Sequence, residues 1–439
     1  MSQEPVSGAA QPEDTGFDDY DIFSAELRNC PHQRWARMQQ ECPVAHSDRF
    51  GGSWLVTRFD DIKAMTRDPE LYSSRVSDVG GPMPEPGKSG LFLPPITSDP
   101  PEHAAHRGVL LPFLVPAKVA RLEPFIREKA AALARALAGE GGGDAAAGFA
   151  QQLAISVLTR LLGVPAEMAP RFIEWTVRLL RIGPLDQAAR AMVVTEMIGY
   201  FDGLLQERAA AAEAGAEPSG MGAGDLITYL TRPREDGQPL SRKQQIGSAL
   251  VIMIAGADTT WSALSASLLH LGTHPQDRRR LREEPKLMST AIEELLRAYA
   301  PVMLARVSTR DADLHGRHIP AGERMLFPLA AANRDPEVFE DPDQVRLDRR
   351  RNAHLTFGSG AHRCLGSPLA RLEMRVALEE WLAVMPEFEV IDPLSIEWTG
   401  GTVRGPETVP FRILPSRVAF NTSVDDAGRA GLRCTGGRS

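Results

Sequence analysis

One segment constrains the fold of this chain more than any other. From Ser241 to His274 apolar residues recur at helical spacing, and between Lys243 and Asp277 the only Asp, Glu, Lys or Arg is Asp258. Ser241 with Gln244 makes the S-x-x-Q pattern of a capping box, which marks where the helix begins. About thirty residues of helix extend about 50 Å at 1.5 Å per residue. A run of about 18 apolar residues would suffice to cross a bilayer. Against a membrane span, Ser248, Thr259, Thr260, Ser262, Ser265 and Ser267 interrupt the apolar surface, and the sequence holds no second segment of this kind. The reading that fits is a helix enclosed by protein in the middle of a large domain. A carboxylate there is costly unless paired or wet, so Asp258, beside Thr259, is a candidate functional residue.

The rest of the chain agrees with a large helical domain. Its 439 residues, 43% hydrophobic and 24% charged, can bury a substantial core without a disulfide or structural metal. Net charge is −8, from 57 acidic and 49 basic residues, which argues against nucleic acid as the main partner. Cys30, Cys42, Cys364 and Cys434 are scattered and form no C-x-x-C pair, so a zinc site of usual spacing is not expected. Few cysteines suit a reducing cytosol, and the acidic N-terminus lacks the basic and apolar regions of a signal peptide; a cytoplasmic protein is expected. Residues 1–20 and 417–439 read as disordered tails flanking a single domain over 21–416. Helical spacing predicts helices over 117–139, 149–162, 169–181, 187–213 and 367–384. Short strands are predicted at 52–57, 305–309, 313–319, 324–329, 387–391 and 408–414, with 316–322 as a tight turn. The Gly- and Pro-rich stretch 79–96 must be a long irregular loop, a kind of segment that is usually functional. The class is mainly α with small peripheral sheets.

The most specific segment for chemistry is Phe357-Gly358-Ser359-Gly360-Ala361-His362-Arg363-Cys364-Leu365-Gly366. Gly358 and Gly360 permit sharp backbone turns and close approach to something flat. Cys364 sits at the mouth of a helix, where N–H groups and the helix dipole favour a thiolate. Gly366 leaves room for a large planar group. A lone cysteine in a helix cap would be read as structural; the surrounding glycines and His362 point instead to a sulfur held open to ligate a metal.

This loop, F-G-x-G-x-H-x-C-L-G, resembles the haem-binding loop of the cytochrome P450 superfamily, in the form found in its soluble bacterial members. The likeness runs over roughly residues 20–415. Ala255-Gly256-Ala257-Asp258-Thr259-Thr260 resembles the family's oxygen-activation motif on its long central helix. Glu294-Leu295-Leu296-Arg297 resembles its E-x-x-R pair, and Asp99-Pro100-Pro101-Glu102-His103 with Arg107 the start of a helix that touches the haem. Ile319-Pro320-Ala321-Gly322 and Ala332-Asn333-Arg334-Asp335-Pro336 also match family stretches. The resemblance implies the cytochrome P450 fold, with the long central helix over the haem. It implies haem b held by Cys364 as axial ligand, with His103, Arg107, Arg306 and His362 toward its propionates and Phe357, Gly358, Gly366 and Ala255 against it. It implies that Thr259 hydrogen-bonds dioxygen and that Asp258 relays protons, while Gly256 leaves a groove for dioxygen and water. From the residues themselves, Thr259 is expected to bond the Ala255 carbonyl four residues back. Family members usually add an arginine to the E-x-x-R pair shortly after a P-D; here Asp343 is followed by Gln344, and Gln344, Arg346 or Arg349 could complete the network.

The implied activity is insertion of one atom of O2 into a lipophilic small organic molecule. Leu91, Phe92, Ala255, Val302 and Val403 are the expected substrate wall, mostly apolar. Arg404 is read as a surface arginine or, less readily, a contact for a substrate carboxylate. Between 346 and 375 seven arginines face only Asp348 and Glu373, a local excess of five positive charges around the cysteine loop. Arg349, Arg351, Arg363 and Arg371 are therefore expected to form a docking face for an acidic electron donor. No fused flavin or iron–sulfur domain is expected after Leu414, so NAD(P)H would act only through a separate ferredoxin and its reductase. A monomer with no membrane contact is expected. Two other classes are a hydrogen-peroxide-dependent peroxygenase and a non-catalytic haem-binding protein; the second would not need Asp258 with Thr259.

Overall fold

The computed structural model describes residues 16–75, 91–215, 224–234 and 237–415. Its axis is the helix Arg242–Thr273. The capping box forms as the sequence requires: Ser241 Oγ accepts the Gln244 N–H at 3.3 Å, and Gln244 Oε1 accepts the Ser241 N–H at 3.0 Å. The helix is long and apolar enough to cross a membrane, yet 78% of its most apolar stretch is buried inside the protein. Its neighbours are the helices Gln151–Leu162, Ala169–Val177, Gln187–Glu213 and Ser367–Val384. Together they enclose one apolar cluster that includes Leu110, Leu158, Val251, Leu296, Leu369 and Trp381.

A second, separate cluster lies on the other side of the molecule. It packs Phe17, Tyr20, Trp35, Leu55, Phe59, Leu326 and Phe339 around a five-stranded sheet. The strand order is Val44–Ser47, Ser53–Val56, Arg324–Pro328, Met303–Ser308, Tyr72–Ser73. Ser53–Val56 runs parallel to Arg324–Pro328 and every other pairing is antiparallel, with Ala305 opposite Leu326. Two smaller sheets complete the fold: Gly142–Asp144 with Pro410–Ile413 and Phe388–Val390, and the hairpin Ala312–Leu314 with Arg317–Ile319.

Three expectations are corrected. The N-terminal tail is too long by at least five residues: Phe17 and Tyr20 are buried, and the Tyr20 hydroxyl lies 2.7 Å from Ser53 Oγ. These two aromatic rings gain more by covering the sheet than a polar tail gains from solvation. The tight turn falls at His315 and Gly316, both at positive φ, so Arg317–Ile319 is strand. Of the stretch 79–96, residues 79–90 lie outside the described residues, and only 91–96 can be placed.

Candidate active site

A cavity of about 340 Å³ opens between the two clusters. Four elements of the sequence meet on its wall: the central helix through Ala255, Gly256, Thr259 and Thr260; the helix Glu102–Leu114 through His103 and Arg107; the strand Met303–Ser308 through Arg306; and the loop Phe357–Gly366.

The loop is built from short backbone bonds. Gly358 N–H donates to the Leu355 carbonyl at 2.7 Å, and Cys364 N–H donates to the Phe357 carbonyl at 2.7 Å. Gly358 and Gly360 both have positive φ, +67° and +69°. A Cβ at Gly360 would lie 2.5 Å from the Thr66 carbonyl oxygen, so that glycine is required by the neighbouring chain rather than by a flat ligand. Beyond the loop the helix Ser367–Val384 begins. Cys364 lies on the cavity wall and is exposed there. Burial pushes its thiol up; the Gly366 N–H and the charges of Arg107, Arg363 and Arg371 oppose that.

Among the described residues, Arg107 and Arg306 on the cavity wall form no ion pair. Arg306 donates only to the carbonyl of its neighbour Ala305, at 2.7 Å, and burial pulls its guanidinium down to about 10. Arg107 is also pulled down by burial, and no carboxylate of the described residues pairs with it. The rings of His103 and His362 stand 4.4 Å apart, and each has a buried, partnerless Nε2. Burial first, then Arg306, His103 and Arg107, hold His362 down at about 3. Two guanidinium groups with no ion pair among the described residues, beside two neutral imidazoles whose Nε2 atoms lack a hydrogen bond, are costly unless a ligand brings acceptors and negative charge. A flat, apolar group with two carboxylates and a thiolate-seeking metal fits this donor set.

On the central helix Thr259 Oγ1 donates to the Ala255 carbonyl at 2.7 Å, as the four-residue spacing predicts. Asp258 is 1% exposed, and its Oδ1 accepts from Arg181 Nη2 at 2.9 Å and from Ser262 Oγ at 3.3 Å, while Oδ2 has no partner. Arg181 lies in a π-helical turn, Arg178–Ile182, distant in sequence, and nothing in the motif announces it. Gly256 lines the cavity, and a Cβ there would meet Leu158 Cδ2 at 2.6 Å, so packing against Leu158 also requires the glycine.

Beneath the cavity the Glu294–Arg297 pair is buried, with Arg297 Nε and Nη2 each 2.8 Å from Glu294. Arg349 completes the network, its Nε lying 3.1 and 3.0 Å from the two Glu294 oxygens; Gln344 contributes only its carbonyl and Arg346 its N–H. Burial raises the Glu294 carboxyl, but the bonds from Arg297, Arg346 and Arg349 outweigh it and hold it below its ordinary value.

This corrects the docking face. Arg349 is 7% exposed and belongs to the interior. Arg371 forms a two-pronged pair with Glu293, and Arg375 with Glu123, so acids remote in sequence cancel much of the local charge excess. Arg351 and Arg363 are exposed. The substrate wall also changes. Ala255, Val302 and Val403 line the cavity, but Leu91 is core and Phe92 packs against His106 and Lys243; Pro95 and Ile96 take their place. Ile22, from the segment before the first helix, also reaches the cavity, and no motif marked it. Arg404 is not on the cavity wall: it is half-buried, is pulled down to about 9 chiefly by burial of its guanidinium, lies 4.0 Å over Trp398 and donates to the carbonyls of Arg28 and Asn29.

A mainly helical fold whose cysteine loop faces the central helix across such a cavity defines the haem-thiolate class. The family model described as Cytochrome P450 matches residues 172–393. The vitamin D(3) 25-hydroxylase of Pseudonocardia autotrophica is 34% identical, over 91% of this chain and 98% of that protein. The mycinamicin IV hydroxylase/epoxidase of Micromonospora griseorubida is 32% identical, over 86% and 94%. Among solved structures, a myxobacterial cytochrome P450 in complex with myristic acid superposes with a TM-score of 0.80 at 31% identity, covering 90% of this chain and 99% of that one. The chain belongs to the cytochrome P450 family and is a bacterial-type P450 monooxygenase; the family implies haem iron and the use of O2.

Proposed function

We propose that this enzyme inserts one oxygen atom of O2 into a lipophilic, uncharged small organic molecule, in the cytoplasm, with electrons from a separate ferredoxin and reductase. The observation that carries this reading is the composition of the cavity. Away from the His103, Arg107, Arg306 and His362 corner its wall is mostly apolar, from Ile22, Ile96, Leu180, Val251, Val302 and Val403, with Arg324 and Glu373 the other ionisable groups on it. Such a wall selects by shape and by burial of hydrocarbon. The relatives named as a vitamin D(3) 25-hydroxylase and a mycinamicin IV hydroxylase/epoxidase support oxidation of an organic substrate.

Haem b would be held by Cys364 as metal ligand, with Arg107, Arg306, His103 and His362 available to its propionates and Phe357, Gly358, Gly366 and Ala255 lining the same cavity. Bound there, it supplies the redox chemistry that activates dioxygen. The chain's own part is to place protons and exclude water. Thr259, tied to the Ala255 carbonyl, presents a hydroxyl oxygen to the cavity at a fixed point. Asp258 sits one residue back, out of the cavity, where it can pass protons from the Arg181 side toward Thr259. Apolar side chains keep bulk water from short-circuiting that route.

The test is a carbon monoxide difference spectrum of the reduced protein, followed by a spin-shift screen of lipophilic candidates. A thiolate-type band that Cys364→Ser abolishes is expected. A Soret band untouched by that substitution overturns the reading.

A further inference from the structure

Arg371 was expected on the docking face, but its surroundings give it another task. It sits in the first turns of the helix Ser367–Val384, which leads away from the cysteine loop. Its Nε and Nη2 grip Glu293 at 2.6 and 2.8 Å, and Glu293 also holds His354 Nε2 at 3.2 Å. Burial would raise the Glu293 carboxyl, yet the bonds from Arg371 and His354 hold it down at about 2, so it stays charged at every pH of interest. The carboxylate takes the edge of the guanidinium and leaves its flat face free. That face lies over the Phe357 ring, with Arg371 Cζ 4.4 Å from the ring centroid. Phe357 lines the cavity beside Cys364, and its carbonyl receives the Cys364 N–H.

We propose that Arg371 is a positioning residue for Cys364: pinned edge-on by Glu293, it presses on Phe357 and so fixes how closely the loop shields the sulfur. This rests on the reading that Cys364 ligates the haem. An arginine is needed because only a planar cation can be held at its edge and stack by its face; a lysine supplies the charge without the plane. A loosened ring admits water to the sulfur. Hydrogen bonds from water withdraw electron density from the thiolate and make the metal easier to reduce.

The experiment is spectroelectrochemistry of the haem-loaded enzyme and of Arg371→Lys, Phe357→Leu and the double variant. We expect Arg371→Lys to move the reduction equilibrium about tenfold toward the reduced form, about 59 mV for one electron. We expect the double variant to match Phe357→Leu alone, because the arginine acts through the ring. The metal–sulfur stretch in resonance Raman should shift in the same variants. An unchanged potential in Arg371→Lys, or additive shifts in the double variant, overturns the proposal; a raised KM for ferredoxin with unchanged potential returns Arg371 to the docking face. If Arg371→Lys does not load haem, Glu293→Gln replaces it, with the same expected direction and the same overturning result. Failure of the haem-ligand reading is distinct: the unsubstituted protein would then show no thiolate-type carbon monoxide band.

Discussion

Arg181 Nη2 lies 2.9 Å from Asp258 Oδ1, and this joins the one acid of the central helix to a π-helical turn that caps it from outside. Asp258 is 1% exposed and Arg181 21% exposed at the side chain, so the pair is buried at one end and wet at the other. Arg181→Met would strand a buried carboxylate. The expected cost is about 2 kcal/mol, below the ~3–5 kcal/mol of a fully buried pair because one partner is solvated. Urea unfolding of the haem-loaded protein measures it. Adding Asp258→Asn should recover part of the loss; a strictly additive double variant would show the two groups to be uncoupled.

Thr259→Ala removes the hydroxyl that now bonds the Ala255 carbonyl. Oxygen consumption should continue while product per NADPH falls about a hundredfold, the low end of the 10²–10⁴ that a positioned proton donor contributes. Hydrogen peroxide should appear in place of the lost product. Coupling equal to that of the unsubstituted enzyme would remove Thr259 from the proposed role.

Glu373 lies on the cavity wall, 3% exposed, with a partnerless Oε2, and burial pushes its carboxyl well above the ordinary range. The folded state therefore holds a proton that the unfolded chain releases near pH 4–5. Between that range and the raised folded value, stability falls as pH rises. Glu373→Gln keeps the shape and removes the titration. Its stability relative to the unsubstituted enzyme should be greater at pH 8 than at pH 4.5. Calorimetry at both pH values checks this, and an equal difference at the two would contradict it.

Arg349 and Arg351 are two residues apart and should behave oppositely. Arg349→Met leaves buried Glu294 one charged partner fewer and should cost about 3 kcal/mol. Arg351→Glu, on an exposed side chain, should leave stability within about 0.5 kcal/mol. With Arg363→Glu added, it should slow reduction by ferredoxin at low salt, a difference that fades as salt is raised. Stopped-flow reduction at two ionic strengths is the measurement. Rates insensitive to both charge reversal and salt would dismiss electrostatic docking at these residues.

What the sequence made legible follows from range. The capping box at Ser241, the Thr259–Ala255 bond and the turns at Gly358 and Gly360 are decided within a few residues, and local pattern suffices for them. The family motifs placed Cys364, His103, Arg107, Arg306 and His362 around one cavity, as the structure has them. Partnerships across long separations were hidden. Arg181 reaches Asp258 across 77 positions, Arg371 reaches Glu293 across 78, and Arg349 reaches Glu294 across 55. An arginine count along the chain cannot see acids that folding brings beside it, so the basic cluster looked freer than it is. Gly360 misled for a related reason: a missing side chain records that something is close, here the Thr66 carbonyl, and does not say what.

The cavity lies on the seam between two apolar clusters that pack independently, with Leu158 and Val251 on one bank and Ile22, Val302 and Leu326 on the other. A bulky guest can then be accommodated by parting the banks, as a hinge-bound book opens without tearing a page, at the expense of cross-seam contact alone. Families of related enzymes could widen or narrow their appetite by changing only the residues on the join. Amide hydrogen exchange on ligand binding should accordingly slow first along Ile22 and Val302–Val307, before it changes deep within either bank.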